Sequence, residues 1–324
     1  MNQLVWDKQL MQHYHAITRD VAWVDVGLRT EVIINGRDGL RVMNNNCTAD
    51  LRRVIPGHGT EAFVLNIKGT TLGHVGLFVS NNQLELSTVA DQAASLISHL
   101  RQYIVSEVVD FLDRSADVTT FLVAGPNAAQ AMARIGVGDV PEARMSHCRM
   151  TLGSMELTTR RTDLLGADGF QLVVPNEAKS RIEKLLTSNE ILRCSAEVLE
   201  AVRLENRIPK YGVDIDAKNL PQEIGRDQQA ISFSKGCYLG QETVARLDAL
   251  GHVNRHWTPI VFSGHDVPAV GFLIEQDGKP VVRVTSAAWS PKFQKPLALG
   301  YIRNGFQQPG QTFNSSLGLA TVVR

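Results

Sequence analysis

The sequence carries no net charge: 33 Lys and Arg are balanced by 33 Asp and Glu. Long-range attraction to a phosphate backbone needs a basic excess, so direct nucleic-acid binding is not expected, and only a local basic patch stays open. No apolar run approaches the ~20 residues that cross a bilayer, so no membrane role is expected. Met1 to Asp20 is polar and holds no apolar segment followed by a cleavage site. The sequons at Asn46 and Asn314 then read as chance matches. Only 4 cysteines occur, Cys47, Cys148, Cys194 and Cys237, and none forms a C-x-x-C pair. Neither a zinc ribbon nor a cluster-binding loop can be built from that spacing, and no metal is expected. Spacing alone leaves disulfides open, while the lack of a leader points to a reducing, cytoplasmic setting. No G-x-G-x-x-G opens a helix and no G-x-x-x-x-G-K-[ST] occurs, which leaves dinucleotide and P-loop sites without support. With no heptads, a monomer is the default expectation.

What is present suits a large core. Hydrophobic residues make up 44% of 324, too many for a disordered chain, and a chain of this length usually splits in two. Strand–turn–helix grammar occurs three times. Thr30–Asn35 leads through Gly36-Arg37-Asp38 into a helical stretch over Leu40–Leu51. Thr119–Ala124 leads through Gly125-Pro126-Asn127 into Ala128–Ile135, and Phe170–Val174 through Pro175-Asn176 into Glu177–Leu186. Between the first two lies a meander, Glu61–Ile67, Thr70–Val79 and Gln83–Thr88, with turns at Lys68-Gly69 and Asn81-Asn82. Ala90–Val109 reads as a helix with Ala93, Leu96, Ile97, Leu100 and Ile104 on one face. From about His252 the helical period stops. Trp257–Phe262, Val270–Glu275, Val281–Thr285, Leu297–Ile302 and Leu319–Val323 read as short strands of a small antiparallel barrel. The expected fold is α+β, with mixed and antiparallel sheets and helices over residues 1–248 and a β-barrel over 249–324.

The most unusual stretch is Ser234-Lys235-Gly236-Cys237-Tyr238-Leu239-Gly240-Gln241-Glu242. Gln241–Leu250 reads as a helix, which places Cys237 just before its positive end and two residues after a lysine. Both features favour a thiolate, and hence a reactive cysteine. A small inert cysteine fits the same spacing. Lys235, Arg246, His252, Arg255 and His256 form a local basic cluster that either holds an anion or is a solvated surface.

This stretch resembles the K-G-C-Y-x-G-Q-E signature of the YgfZ-like folate-binding proteins, which sit within the superfamily of the glycine-cleavage T-protein (aminomethyltransferase, GcvT). The likeness continues over most of the chain. Arg203-Leu204-Glu205-Asn206-Arg207-Ile208-Pro209-Lys210-Tyr211-Gly212 is similar to the superfamily's R-L-E-x-G-x-P-x-Y-G, with Arg207 in place of Gly. Asn35-Gly36-Arg37-Asp38 and Cys47-Thr48-Ala49-Asp50 match its opening, and Ala298-Leu299-Gly300-Tyr301 its terminal barrel.

The resemblance implies a GcvT-like folate-binding domain capped by a barrel, with tetrahydrofolate or a one-carbon derivative as ligand. It implies an accessory factor in maturation or repair of iron–sulfur proteins, with those proteins or their assembly machinery as partners and tRNA modification affected through them. Cys237 and Lys235 are the implied reactive residues, and Asn66, His74, Gln171, Arg203, Glu205, Tyr211 and Arg246 the implied folate contacts. Trp23 and Tyr211 offer aromatic faces for a pterin, or pack in the core. Arg203 and Glu205, read at a strand end, either line the channel or form a structural salt bridge.

Two departures separate the chain from a working aminomethyltransferase. In Asn66-Ile67-Lys68-Gly69-Thr70-Thr71-Leu72-Gly73-His74, His74 stands near the place of the T-protein's acidic residue. A histidine moves protons near neutral pH but carries no standing negative charge for a cationic intermediate. The plainer reading of His74 is a strand surface residue. In Asp168-Gly169-Phe170-Gln171, Gln171 replaces the usual Glu, and an amide offers a pterin one acceptor oxygen, not two. The alternatives to an accessory factor are an aminomethyltransferase passing a one-carbon unit to tetrahydrofolate and a non-catalytic folate-binding scaffold.

Overall fold

The computed structural model describes residues 6–81, 83–138, 140–162 and 169–324. Asn82 of the expected turn and Asp168 of the second departure lie outside them. Among the described residues the strands form three sheets. The first runs Leu192–Arg193, Ala22–Gly27, Val118–Ala124, Gly169–Pro175, Met155–Thr162, His147–Leu152. Its first pair is parallel and the rest antiparallel. The second is fully antiparallel: His58–Leu65, Thr71–Val79, Leu84–Thr88, Thr30–Asn35, Asp110–Asp113. The third runs Leu273–Gln276, Lys279–Ser290, Lys295–Arg303, Arg255–Phe262, Gly318–Val322, Thr312–Ser315, and its two end strands approach each other to give a nearly closed barrel. The expected α+β architecture with a terminal barrel is the observed one.

Each sheet buries its own apolar face. Helices Ala128–Arg134 and Lys179–Ser188 cover one side of the first sheet through Met132, Ile182 and Leu186. Helices Lys8–Arg19 and Ala196–Glu205 cover the other through Ile17, Val198 and Val202. Gly39–Asn45 and Ala93–Arg101 back the second sheet through Met43, Leu96 and Leu100. A further core joins Phe63 and Leu65 of the second sheet to Val244, Trp257 and Leu299, so the barrel shares apolar contacts with the preceding fold.

Three sequence expectations need correction. The helix expected over Ala90–Val109 spans only Ala93–Arg101, because Asp110–Asp113 pairs as an edge strand with Thr30–Asn35. Ile104 still packs on the same core, from beyond the helix. The stretch Leu40–Leu51 is broken after Asn45 and resumes as a 3-10 turn at Leu51–Arg53. Asparagines cause the break: Asn46 Nδ2 donates to Val42 O (2.8 Å) and Asn44 Oδ1 accepts from Leu51 N (3.0 Å), replacing helical bonds with local ones. Arg203 and Glu205 lie in helix Ala196–Glu205, not at a strand end.

Candidate functional site

A cavity of about 390 Å³ opens between the first two sheets and the segment after helix Ala196–Glu205. His74, Gln171, Arg203 and Tyr211, four of the expected contacts, line it together. The volume lies in the range of ligand pockets, about 300–1,000 Å³.

The sheet register builds one wall. Phe63 sits opposite His74, and Glu61 opposite Gly76, so Glu61 and His74 are diagonal neighbours on one face. The His74 ring stacks on Phe63 with centroids 4.9 Å apart, and its Nε2 meets Glu61 Oε1 at 2.6 Å. His74 is therefore a cavity residue rather than a plain surface one. Glu61 also accepts from Arg144 Nη2 at 2.8 Å and from Arg226 through Nε and Nη2. Burial would raise the Glu61 carboxyl; bonds from Arg226 and His74 outweigh it and hold the group far below the ordinary range. A carboxylate flanked by three nitrogen donors accepts, so His74 Nε2 carries the hydrogen between them and Nδ1 is left as the other ring position.

Gln171 forms part of the opposite wall. It is 3% exposed, donates from Nε2 to Thr162 Oγ1 at 3.3 Å, and leaves Oε1 buried without a partner among the described residues. Arg203 is fully engaged. Its guanidinium reaches both Glu200 oxygens (2.6 and 2.8 Å), Asp214 Oδ2 (2.7 Å), Ser286 Oγ (2.9 Å) and Ile208 O. It joins the cavity wall to the barrel more than it offers a hand to a ligand. Tyr211 directs its hydroxyl to Thr71 O at 3.4 Å, and burial, with Asp216 nearby, raises its pKa.

The other expected residues are elsewhere. Asn66 shapes the hairpin turn: Oδ1 accepts from Lys68 N and Thr70 N, and Nδ2 donates to Thr70 Oγ1. Glu205 ties the first helix to the barrel, accepting from Tyr14 Oη (2.9 Å) and Lys292 N (3.0 Å). Arg246 is exposed on helix Gln241–Leu250. Trp23 is core, its Nε1 donating to Ile191 O. The expected basic cluster is dispersed, since Arg255 pairs with Glu223 at 2.9 Å and Lys235 is buried.

The cysteine loop has a different architecture from the one its spacing suggested. Lys235 Nζ donates to three carbonyls, Asn44 O (2.5 Å), Cys47 O (3.0 Å) and Ala49 O (2.6 Å), which match the three hydrogens of an ammonium. Leu239 N donates to Asn45 O and Ser232 N to Thr48 O. The loop is thus pinned along residues 44–49, and Lys235 acts as its anchor. Burial lowers the Lys235 pKa. Cys237 is exposed, ahead of a helix that starts at Gln241 as expected. On the loop's other side, Gly240 meets the hairpin turn. A Cβ on Gly69 would lie 2.6 Å from Thr243 Cβ, and one on Gly240 2.6 Å from Asn66 O; both glycines have φ near +80°. Thr243 Oγ1 donates to Lys68 O across this contact.

Glu61, Arg226, Arg144 and Arg29 are cavity-associated residues that sequence reasoning missed. Glu61 and Arg226 are 165 positions apart, and no local spacing signals such a pair. No helix among the described residues is long and apolar enough to cross a membrane.

Comparison with known proteins agrees with this architecture. Residues 2–235 match the GCVT N-terminal domain and residues 255–322 the glycine cleavage T-protein C-terminal barrel domain. The chain belongs to the GcvT family. It is 23% identical to an aminomethyltransferase of Thermosynechococcus vestitus over 305 residues, covering 93% of this chain and 82% of that one. It is 24% identical to a putative chloroplastic transferase of Arabidopsis thaliana over 312 residues, covering 95% and 71%. The crystal structure of glycine cleavage system aminomethyltransferase T from Bartonella henselae superposes with a TM-score of 0.80 at 18% identity, covering 97% of this chain and 88% of that one. The fold is therefore shared.

Proposed function

We propose that the chain binds tetrahydrofolate in this cavity and serves as a YgfZ-like accessory factor in iron–sulfur protein maturation or repair, acting in the cytoplasm and affecting tRNA modification through those proteins. The observation that carries this reading is the state of the carboxylate at the cavity wall. His74 occupies the neighbourhood where the T-protein has its acidic residue. The nearby Glu61 is already held by His74, Arg144 and Arg226. A carboxylate so compensated is poorly suited to stabilising a cationic intermediate. The anchored loop, meanwhile, keeps the thiol of Cys237 exposed for a partner.

The cavity fits the ligand. Its size accommodates a pterin, and the unpaired Oε1 of Gln171 is an acceptor awaiting a ring N–H or amino group. Gln171 would receive the pterin edge, and the Tyr211 and Phe78 rings would flank the cavity. Tetrahydrofolate supplies the nitrogens that carry a one-carbon unit. His74, oriented by Glu61, would hold or move a proton at Nδ1, and Cys237 would act outside the cavity.

Isothermal titration of tetrahydrofolate against wild type and Gln171→Glu tests the ligand, with the Glu variant expected to bind at least as well. No heat with either removes the folate reading. Cys237→Ala should fail to rescue cells lacking a factor of this type, and full rescue would remove the role of the thiol. A second reading, aminomethyltransferase, draws on the near full-length likeness to relatives bearing that name. Production of 5,10-methylenetetrahydrofolate from an aminomethylated lipoyl protein, at a rate typical of such enzymes, would establish it instead.

A further inference from the structure

Arg29 lines the same cavity as Gln171, and its guanidinium is almost without partners. Among the described residues its one hydrogen bond runs from Nε to Ser87 Oγ at 3.5 Å, at the limit of what counts as a bond. The nearby carboxylate does not relieve it. Glu31 attracts Arg29 through space, but its oxygens are already occupied: Oε1 accepts from Ser87 Oγ (2.6 Å) and Arg160 Nη1 (3.0 Å), Oε2 from Arg160 Nη2 (2.9 Å). Arg160, itself buried, repels Arg29 and divides its bonds between Glu31 and Glu85. Burial lowers the Arg29 pKa and, with the repulsion from Arg160, outweighs the attraction of Glu31.

Both terminal nitrogens of this half-buried guanidinium are unbonded among the described residues, so they are free to donate to a group that enters the cavity. The same cavity presents the opposite deficit at Gln171 Oε1, an acceptor with no donor. An unbonded donor fork and an unbonded acceptor on one cavity are complementary to a group that carries an N–H beside a C=O. That group is a ring lactam.

We propose that Arg29 is a ligand-binding residue that donates to the lactam oxygen of the bound ring, while Gln171 Oε1 accepts from the adjacent N–H. This rests on the folate reading above and specifies which edge of the pterin enters, and that its 4-oxo group is selected. Arginine suits the task because its planar fork stays charged and offers parallel donors to one oxygen. A 4-amino group in place of the 4-oxo group would set donor against donor.

The test uses calorimetric titration of the full chain with tetrahydrofolate and with its 4-amino-4-deoxy analogue. Wild type should favour the 4-oxo ligand by tenfold or more, as sites built to bond a polar group do. Arg29→Met should lose most of that preference by weakening the 4-oxo ligand about tenfold, while the 4-amino ligand, relieved of an opposing donor, binds no worse. Arg29→Lys keeps the charge and stem and loses only the fork; it should show a reduced preference, and it decides the matter if Arg29→Met does not fold. Variants that bind tetrahydrofolate with the wild-type preference overturn the role of Arg29 and leave the folate reading standing. Wild type that binds neither ligand overturns both.

Discussion

Glu61 and His74 meet at 2.6 Å on the wall of the cavity, and Arg226 and Arg144 close the other sides of the same carboxylate. One buried anion therefore holds three nitrogen-bearing side chains from three parts of the chain. Glu61→Gln leaves Arg226 and His74 facing a neutral amide. Breaking a buried pair from one side commonly costs about 3–5 kcal/mol. The urea midpoint should fall accordingly, and a loss below about 1 kcal/mol would show that the network contributes little.

Acid should destabilise the fold in two overlapping steps. Burial, helped by the cations Arg160 and Arg149, outweighs Glu85 and lowers His147 from 6.5 to about 4. The unfolded chain then takes up the proton first, so stability is lost as pH falls from 6.5 to about 4. For Glu85 burial alone would raise the pKa, but the charge of Arg160 and the bonds from Arg149 and Arg160 lower it from 4.5 to about 2. That contribution is present above 4.5 and lost as pH falls toward about 2. Each step is worth on the order of 3 kcal/mol. Burial, with Asp248 nearby, raises Asp227 to about 6, so that group gains stability as pH falls over part of the same window. Denaturation midpoints of the wild type and His147→Gln from pH 7 down to 3 separate the two, and identical profiles between 6.5 and 4 would contradict the His147 assignment.

The thiols should separate by reactivity. Cys237 is exposed, whereas burial places Cys47 at about 11 and Cys194 at about 12. At pH 8 a maleimide should modify Cys237 in the native protein, and Cys47 and Cys194 only after denaturation. Peptide mass spectrometry reads the outcome; native labelling of Cys47 would mean that the segment under the loop opens easily.

Lys235→Met removes the ammonium that three buried carbonyls share. Each unsatisfied buried acceptor costs about 1–3 kcal/mol before relaxation, so a net loss of about 2–4 kcal/mol is expected. Amide hydrogen exchange should rise first across residues 232–240, and unchanged protection there would argue that the loop is held by its backbone bonds alone.

Much of the fold was legible because period and punctuation agree. The helix Gln241–Leu250 lies between two glycines in the left-handed region, and the meander strands end at turn residues. What escaped notice had weaker local signals. The strand Met155–Thr162 is rich in Arg and Thr and pairs with Gly169–Pro175 on one side and with His147–Leu152 on the other, long-range pairing that no local pattern signals. Arg203 and Glu205 alternate about Leu204 as they would at a strand end, whereas the helix from Ala196 is enforced by burial of Val198, Ala201 and Val202. At the site, motif residues such as Lys235 were found, but their partners were not. The segment Cys47-Thr48-Ala49-Asp50 and the cysteine loop were recognised separately, and only folding shows that one is the seat of the other. Glu61, Arg29 and Arg226 matter through neighbours far away in sequence, which no window of adjacent residues contains.

The close approach of Gly69 and Gly240 bears on how this protein can change over generations. Each glycine occupies space that the other's turn needs, and both hold a backbone conformation that side chains resist. A substitution at one is therefore unfavourable until Thr243 or the Asn66 turn has already shifted. The hairpin that carries His74 and the loop that carries Cys237 are thus mechanically one part, and a change of shape in either turn has to be matched in the other.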